Sequence, residues 1–188
     1  MNTPAHLIVG MAAFGRPADG KTTAAALAGS FLPDASLYAM SLAALAMGYP
    51  AREIFGRLYF SDAWQQVFAV DNSFVLWGLG LGVALVARRA WAVALAGAAL
   101  LHLVFDFLLH HHDARLHFWP LSDWKFVSPL SYWDPAHYGN ILGPAEVALV
   151  TLLGIGLLLR FRSVAARLTI LIVAALEITP FLVWRLMF

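Results

Sequence analysis

The sequence predicts an all-α fold, a polytopic bundle of membrane helices with four long transmembrane helices and shorter ones at the N-terminus. Composition is the first reason. Of the 188 residues, 61% are hydrophobic and only 12% charged, about half the charged share of a soluble domain. The second reason is spacing. Four nearly uncharged stretches have roughly the 17–25 residues that cross a bilayer core. The third is a mean hydropathy of +0.74.

The chain reads as a single membrane domain over residues 1–188. Its opening, MNTPAHLIVG, lacks the cationic start of a secretory signal and is expected to stay in the mature protein. Residues 1–70 read as short helices. Thr22 to Phe31 and Asp34 to Met47 form two apolar helices split at Leu32-Pro33, because proline disfavours helix at the residue before it. Arg52 to Phe60 and Ala63 to Val70 suit the membrane interface, with Tyr59 and Trp64 at headgroup depth. The long segments follow: Asn72–Ala87, Ala90–Leu109, Ile141–Leu159 and Val164–Phe188, with Pro180 expected to kink the last. The basic turns, Arg88-Arg89 and Arg160, Arg162 and Arg167, place those ends in the cytoplasm. Arg185 opposes that assignment. Residues 110–140 then form an aromatic-rich loop on the other face, the periplasm in a bacterium.

Several functions are excluded early. A net charge of +1 without a basic face argues against a nucleic-acid partner. The absence of cysteine removes disulfides and thiolate metal sites. GRPADGKTT, Gly15 to Thr23, matches the phosphate-binding loop G-x-x-x-x-G-K-[ST]. Such a loop needs a strand of a parallel sheet to deliver it to a helix, and this chain has no room for the sheet. The stretch therefore predicts a polar turn between helices, bent at Asp19-Gly20, and no nucleotide site.

The chemistry concentrates in HLVFDFLLHHHDARLH, His102 to His117, which holds five of the seven histidines. His102, Asp106 and His110 are four apart and share one helix face. His102 lies about 12 Å deeper than His110. Ionisable groups inside a span are costly and mark function by default, and imidazole with carboxylate is half of a metal site. His111 and His112 read as solvated loop residues. Glu177, mid-span in the last segment at a depth like that of His102, is a candidate partner. Asp71, Glu146 and Asp34 each read equally well as helix caps. The loop FWPLSDWKFVSPLSYWDPAHYGN, with three tryptophans and three prolines, reads as an ordered lid or an interfacial belt.

These motifs resemble those of the DUF457 or YdjM-like family of bacterial inner-membrane metal-dependent hydrolases. TPAHLIVG is similar to the family's N-terminal histidine segment and LPDASLY to its Leu-Pro-Asp motif. LLHLVFDFLLH is similar to its His-x-x-x-Asp helix, and HFWPLSDW to the Trp-Pro segment after it. Where the family carries Thr-His-Ser, this chain has Asp71-Asn72-Ser73, so one imidazole is replaced by an amide. The resemblance implies a divalent metal, zinc by preference, held by His6, Asp34, His102 and Asp106, with Asp71 and His110 as further ligands. A carboxylate outside the ligand set, Asp71 or Glu177, is expected to act as general base. The expected reaction is hydrolysis of a phosphoester or lipid-linked substrate at the non-cytoplasmic face, with Arg115 and Lys125 available to a phosphate. The expected partners are membrane lipids and a small or lipid-borne substrate. Two alternatives stay open: a proton or metal-ion transporter subunit using His102, Asp106 and Glu177, and a non-catalytic scaffold with a structural metal.

Overall fold

The computed structural model describes residues 1–177 and Thr179, and these contain helices and no strand. The principal helices are α1 (Thr3–Phe14), α2 (Gly20–Ala46), α4 (Asp62–Asp71), α5 (Phe74–Val86), α6 (Ala90–Leu109), α7 (Gly139–Arg160) and α8 (Val164–Leu176). A short α3 (Ala51–Glu53) runs into a π-helical turn, Ile54–Leu58. Three helices are long and apolar enough to cross a membrane: Asp62–Val86, Ala90–Leu109 and Gly139–Arg160. That is compatible with a multi-pass membrane protein. Of the expected fourth span, the described helix covers only 13 residues, Val164–Leu176; Pro180 and Arg185 lie outside the described residues.

Two element boundaries differ from the sequence reading. The expected pair of helices around Leu32-Pro33 is one continuous 27-residue helix with Pro33 inside it. An internal proline costs about 3 kcal/mol. Packing offsets that cost: Gly29 and Ser30 meet α6 and α1 before Pro33, and Asp34 meets Thr3 and His102 just after it. Secondly, the stretch expected to lie at the interface, Ala63 to Val70, belongs to the 25-residue candidate span that ends at Val86. The span is interrupted at Asn72-Ser73, where the Asn72 amide still donates to the Phe68 carbonyl and Ser73 Oγ caps α5 by accepting from the Leu76 amide. The loop Gly15–Asp19 joins α1 to α2 as a turn. Asp19 caps α2 through the Thr22 amide at 3.0 Å, so GRPADGKTT forms the polar turn between helices that the sequence predicts.

Contacts along the helices give their directions. Arg160 at the end of α7 donates to the Ala12 and Gly15 carbonyls at the end of α1. At the other end, the Asn2 amide donates to Glu146 near the start of α7. So α1 runs parallel to α7. Helix α2 runs antiparallel to α1, because Ser30 faces Gly10 and Asp34 faces Thr3. Glycines permit these close approaches: a Cβ at Gly10 would fall 1.8 Å from Ser30 Oγ, and one at Gly29 would fall 2.0 Å from the Leu95 carbonyl oxygen of α6. Small residues at crossings let apolar helices approach backbone to backbone.

The length of α1 sets up the site. Twelve helical residues span about 18 Å, well short of a bilayer core of about 30 Å. With its C-terminal end held at Arg160, its N-terminal end stops inside the bundle. Met1, Asn2 and His6 are therefore buried. On the Arg160 side of them, Ile8, Met11, Val150, Leu157, Phe161 and Ile170 form a closed apolar cluster.

Candidate metal centre

Helix α6 supplies the centre of the site. His102 and Asp106, one turn apart on its inner face, are both buried. Helix α1 brings His6 against them. The His6 and His102 rings stack at 3.5 Å between centroids and 7° between planes. Each points one nitrogen at one oxygen of the same carboxylate: His6 Nε2 lies 2.9 Å from Asp106 Oδ1, and His102 Nε2 lies 3.0 Å from Asp106 Oδ2. The ligand atoms of these three residues all fall within 4.8 Å of one another.

Hydrogen bonding fixes the state of His102. Its Nδ1 lies 2.7 Å from the Ser30 carbonyl oxygen, which only accepts. Nδ1 therefore carries the hydrogen. Nε2 faces Asp106 Oδ2 at 3.0 Å and Asp34 Oδ1 at 3.8 Å, so a cation, a proton or a metal ion, belongs between them. A backbone carbonyl behind the distal nitrogen is also how metal-ligating histidines are commonly oriented. The remaining buried nitrogen of the pair, His6 Nδ1, has no hydrogen-bond partner.

The other expected residues divide. Asp34 stands at the edge of the centre, where Thr3 Oγ1 donates to its Oδ2 at 2.5 Å and Tyr38 donates to Thr3. His110 is brought in from the end of α6, 3.2 Å from Asp106 Oδ1, with its other nitrogen 2.8 Å from Asp113 Oδ2. Burial disfavours a charged His110, but the carboxylates of Asp106 and Asp113 outweigh it and push its pKa up to about 9. Burial likewise raises Asp113, yet His110 and then Arg115 hold it at about 2. This makes His110 a cationic partner of two carboxylates, outside the three-residue ligand group. Asp71 ends α4, where its backbone carbonyl accepts from the Trp77 indole. Its carboxylate makes no hydrogen bond or ion pair with the centre.

Glu177 is buried and reaches the centre through Asn2, whose side-chain amide donates to its Oε1 at 3.3 Å. Glu146, read from sequence as a possible cap, accepts from the Asn2 backbone amide at 2.7 Å, so Asn2 joins it to Glu177. The Met1 amine lies 3.2 Å from Asp106 Oδ1, so residues 1–3 form one wall of the site. Nothing in a sequence pattern announces that wall. Asp113 was also missed, although its i,i+3 spacing from His110 is a legible signal.

Asn72, standing where the resembled family has histidine, is buried and donates to the Pro33 and Phe68 carbonyls at 3.0 Å each. Its own carbonyl accepts from His117 Nδ1. Burial drives the His117 pKa down to about 4, so His117 is a neutral strut between loop and span. Ser73 adds a second tie by donating to the Trp119 carbonyl. Asn72 thus holds the break in its span to the turn of α2 that carries Asp34.

Arg115 is not an exposed loop charge. It is only 4% exposed, with its guanidinium over the rings of Phe68 and Tyr59 at 4.3 and 4.8 Å. Its Nε and Nη1 have no hydrogen-bond partner. Lys125 is exposed.

No protein-family model, curated protein or solved structure matches the chain. The likeness to the YdjM-like family therefore rests on the motifs themselves.

Proposed function

We propose that the protein is a metal-dependent hydrolase of the bacterial inner membrane, acting on a phosphoester carried by a lipid or a small molecule at the non-cytoplasmic face. The observation that carries this reading is His102 Nε2, which faces Asp106 and Asp34 beside the ring of His6 while its Nδ1 is held by the Ser30 carbonyl. His6, His102 and Asp106 would hold a divalent ion, zinc by preference, with the Asp34 carboxylate as a fourth ligand. An ion there supplies Lewis acidity and lowers the pKa of water. Ser30 holds His102 in the ligand tautomer. His110 neutralises Asp106 from the loop side. Glu177, tied to the centre through the Asn2 side chain, would take up a proton as general base.

Arg115 supports a phosphate-bearing substrate. Two buried guanidinium nitrogens without partners are costly unless an acceptor reaches them, and phosphate oxygens suit that fork. The transporter alternative is disfavoured by the apolar cluster of Ile8, Met11, Val150, Leu157, Phe161 and Ile170. It closes the route from the polar centre toward Arg160, where an ion path would need polar groups.

The test is hydrolysis of bis(p-nitrophenyl) phosphate and of short-chain phospholipids by detergent-purified protein, stripped of metal and reloaded with zinc or manganese. Metal-dependent turnover supports the reading; a protein that binds neither ion and hydrolyses nothing overturns it. Arg115→Ala is expected to raise KM for the phosphoester about 10- to 100-fold, the worth of one charge-assisted hydrogen bond, with a smaller change in kcat. An unchanged KM would remove Arg115 from substrate binding.

A further inference from the structure

A second group of histidines lies on the loop face, separate from the buried centre. His111 and His112 follow α6, and His137 precedes α7 in the turn Pro135–His137. Their ligand atoms fall within 4.8 Å of one another. The rings of His111 and His137 stack at 3.5 Å, 22° from parallel, and His112 stands edge-on to both. Reading His111 as a solvated loop residue therefore needs correction: it is half-buried, and its Nδ1 lies 2.6 Å from the Ser128 carbonyl oxygen.

Two of the three rings are set for coordination by the groups behind them. The Ser128 carbonyl only accepts, so His111 carries its hydrogen on Nδ1 and leaves Nε2 as a lone pair. Asp134 Oδ2 lies 2.8 Å from His137 Nδ1 and leaves His137 Nε2 free in the same way. Carbonyl–histidine and carboxylate–histidine pairs are the usual outer shell of histidine metal ligands. The turn is itself constrained. Tyr138 adopts a left-handed backbone, φ 68°, and a Cβ at Gly139 would fall 2.6 Å from the Trp133–Asp134 backbone. Asp134 caps the turn through the Ala136 amide, so His137 is fixed opposite His111. His112, with a side chain 59% exposed, leaves the site open to solvent.

We propose that His111, His112 and His137 form a second transition-metal site, open to solvent and clamping the two ends of the 110–138 loop. Three neutral imidazoles suit zinc, copper or nickel over magnesium or calcium. The two sites share a backbone but not ligands: His110 pairs with Asp106 and Asp113, while His111 hydrogen-bonds to the Ser128 carbonyl. The surface site therefore stands whether or not the buried centre is catalytic.

The test is zinc binding to the metal-stripped full chain in detergent, by chelator competition. Wild type, His112→Ala and His111→Gln/His137→Gln would be measured beside His102→Ala. The expected result is a readily exchanging zinc site weakened at least 10-fold by His112→Ala, abolished in the double variant and retained in His102→Ala. Because His112 is exposed, its replacement leaves folding intact and isolates the coordination effect. A zinc stoichiometry and affinity identical in wild type, His112→Ala and the double variant would overturn the proposal. Retention of this site in a protein whose buried centre binds nothing would sink the hydrolase reading alone.

Discussion

Asp106→Asn is expected to lose the buried metal entirely and to destabilise the protein by about 3–5 kcal/mol. The carboxylate serves three buried nitrogen groups at once: His6 and His110 and the Met1 amine at Oδ1, while Oδ2 faces His102. An asparagine keeps the shape but replaces one acceptor oxygen with a donor NH2, so at least one of those nitrogens meets a donor. It also removes the negative charge that balances the cationic His110. Metal content by mass spectrometry and thermal unfolding in detergent check both parts. The control is Asp71→Asn, a carboxylate outside the centre, which should leave metal and melting temperature near those of wild type. Full metal occupancy in Asp106→Asn would remove this residue from the ligand set.

The sequence carried the α6 half of the site and concealed the other half for physical reasons. Asp106 and His102 were legible because a four-residue spacing defines a helix face and because charge in an apolar run stands out. His6 came from a motif likeness, and its depth comes from α1 being too short to cross the bundle. The role of residues 1–3 follows from the same length mismatch, which appears only when α1 is seen anchored at Arg160. Proline at position 33 misled the element boundary, since local backbone preference yielded to packing on both flanks. Asp71 looked equivalent to Asp106 by composition. The bend at Asn72-Ser73 leaves its carboxylate off the centre, and no periodicity encodes that bend. His111 and His112 looked solvated because a loop has no period. Their partners, Ser128 for His111 and Asp134 for His112, lie 17 and 22 residues further along the chain, beyond the reach of any local pattern.

Gly29→Ala is expected to lower metal affinity 10- to 100-fold without touching a ligand. The added Cβ would lie 2.0 Å from the Leu95 carbonyl oxygen and 2.8 Å from its carbon. Both are backbone atoms, so relief must come from moving α2 away from α6 by an ångström or more. Ser30, the next residue, loses its 2.7 Å contact with His102 Nδ1, and Asp34 withdraws one turn further on. Removing an outer-shell partner of a ligating histidine typically costs 10- to 100-fold in metal affinity. The overpacking itself adds a destabilisation of about 1–3 kcal/mol. Gly154→Ala separates this effect from glycine replacement in general. Gly154 lies within α7, and a Cβ there meets nothing within 4 Å. That substitution should be neutral or stabilising by up to about 1 kcal/mol. Zinc titration and thermal melts of the two variants side by side decide the matter. If Gly29→Ala binds zinc as tightly as Gly154→Ala, the approach of α2 to α6 does not set the ligand geometry. If only Gly29→Ala loses affinity, the contact of glycine with the Leu95 backbone is what holds the Ser30 carbonyl behind His102.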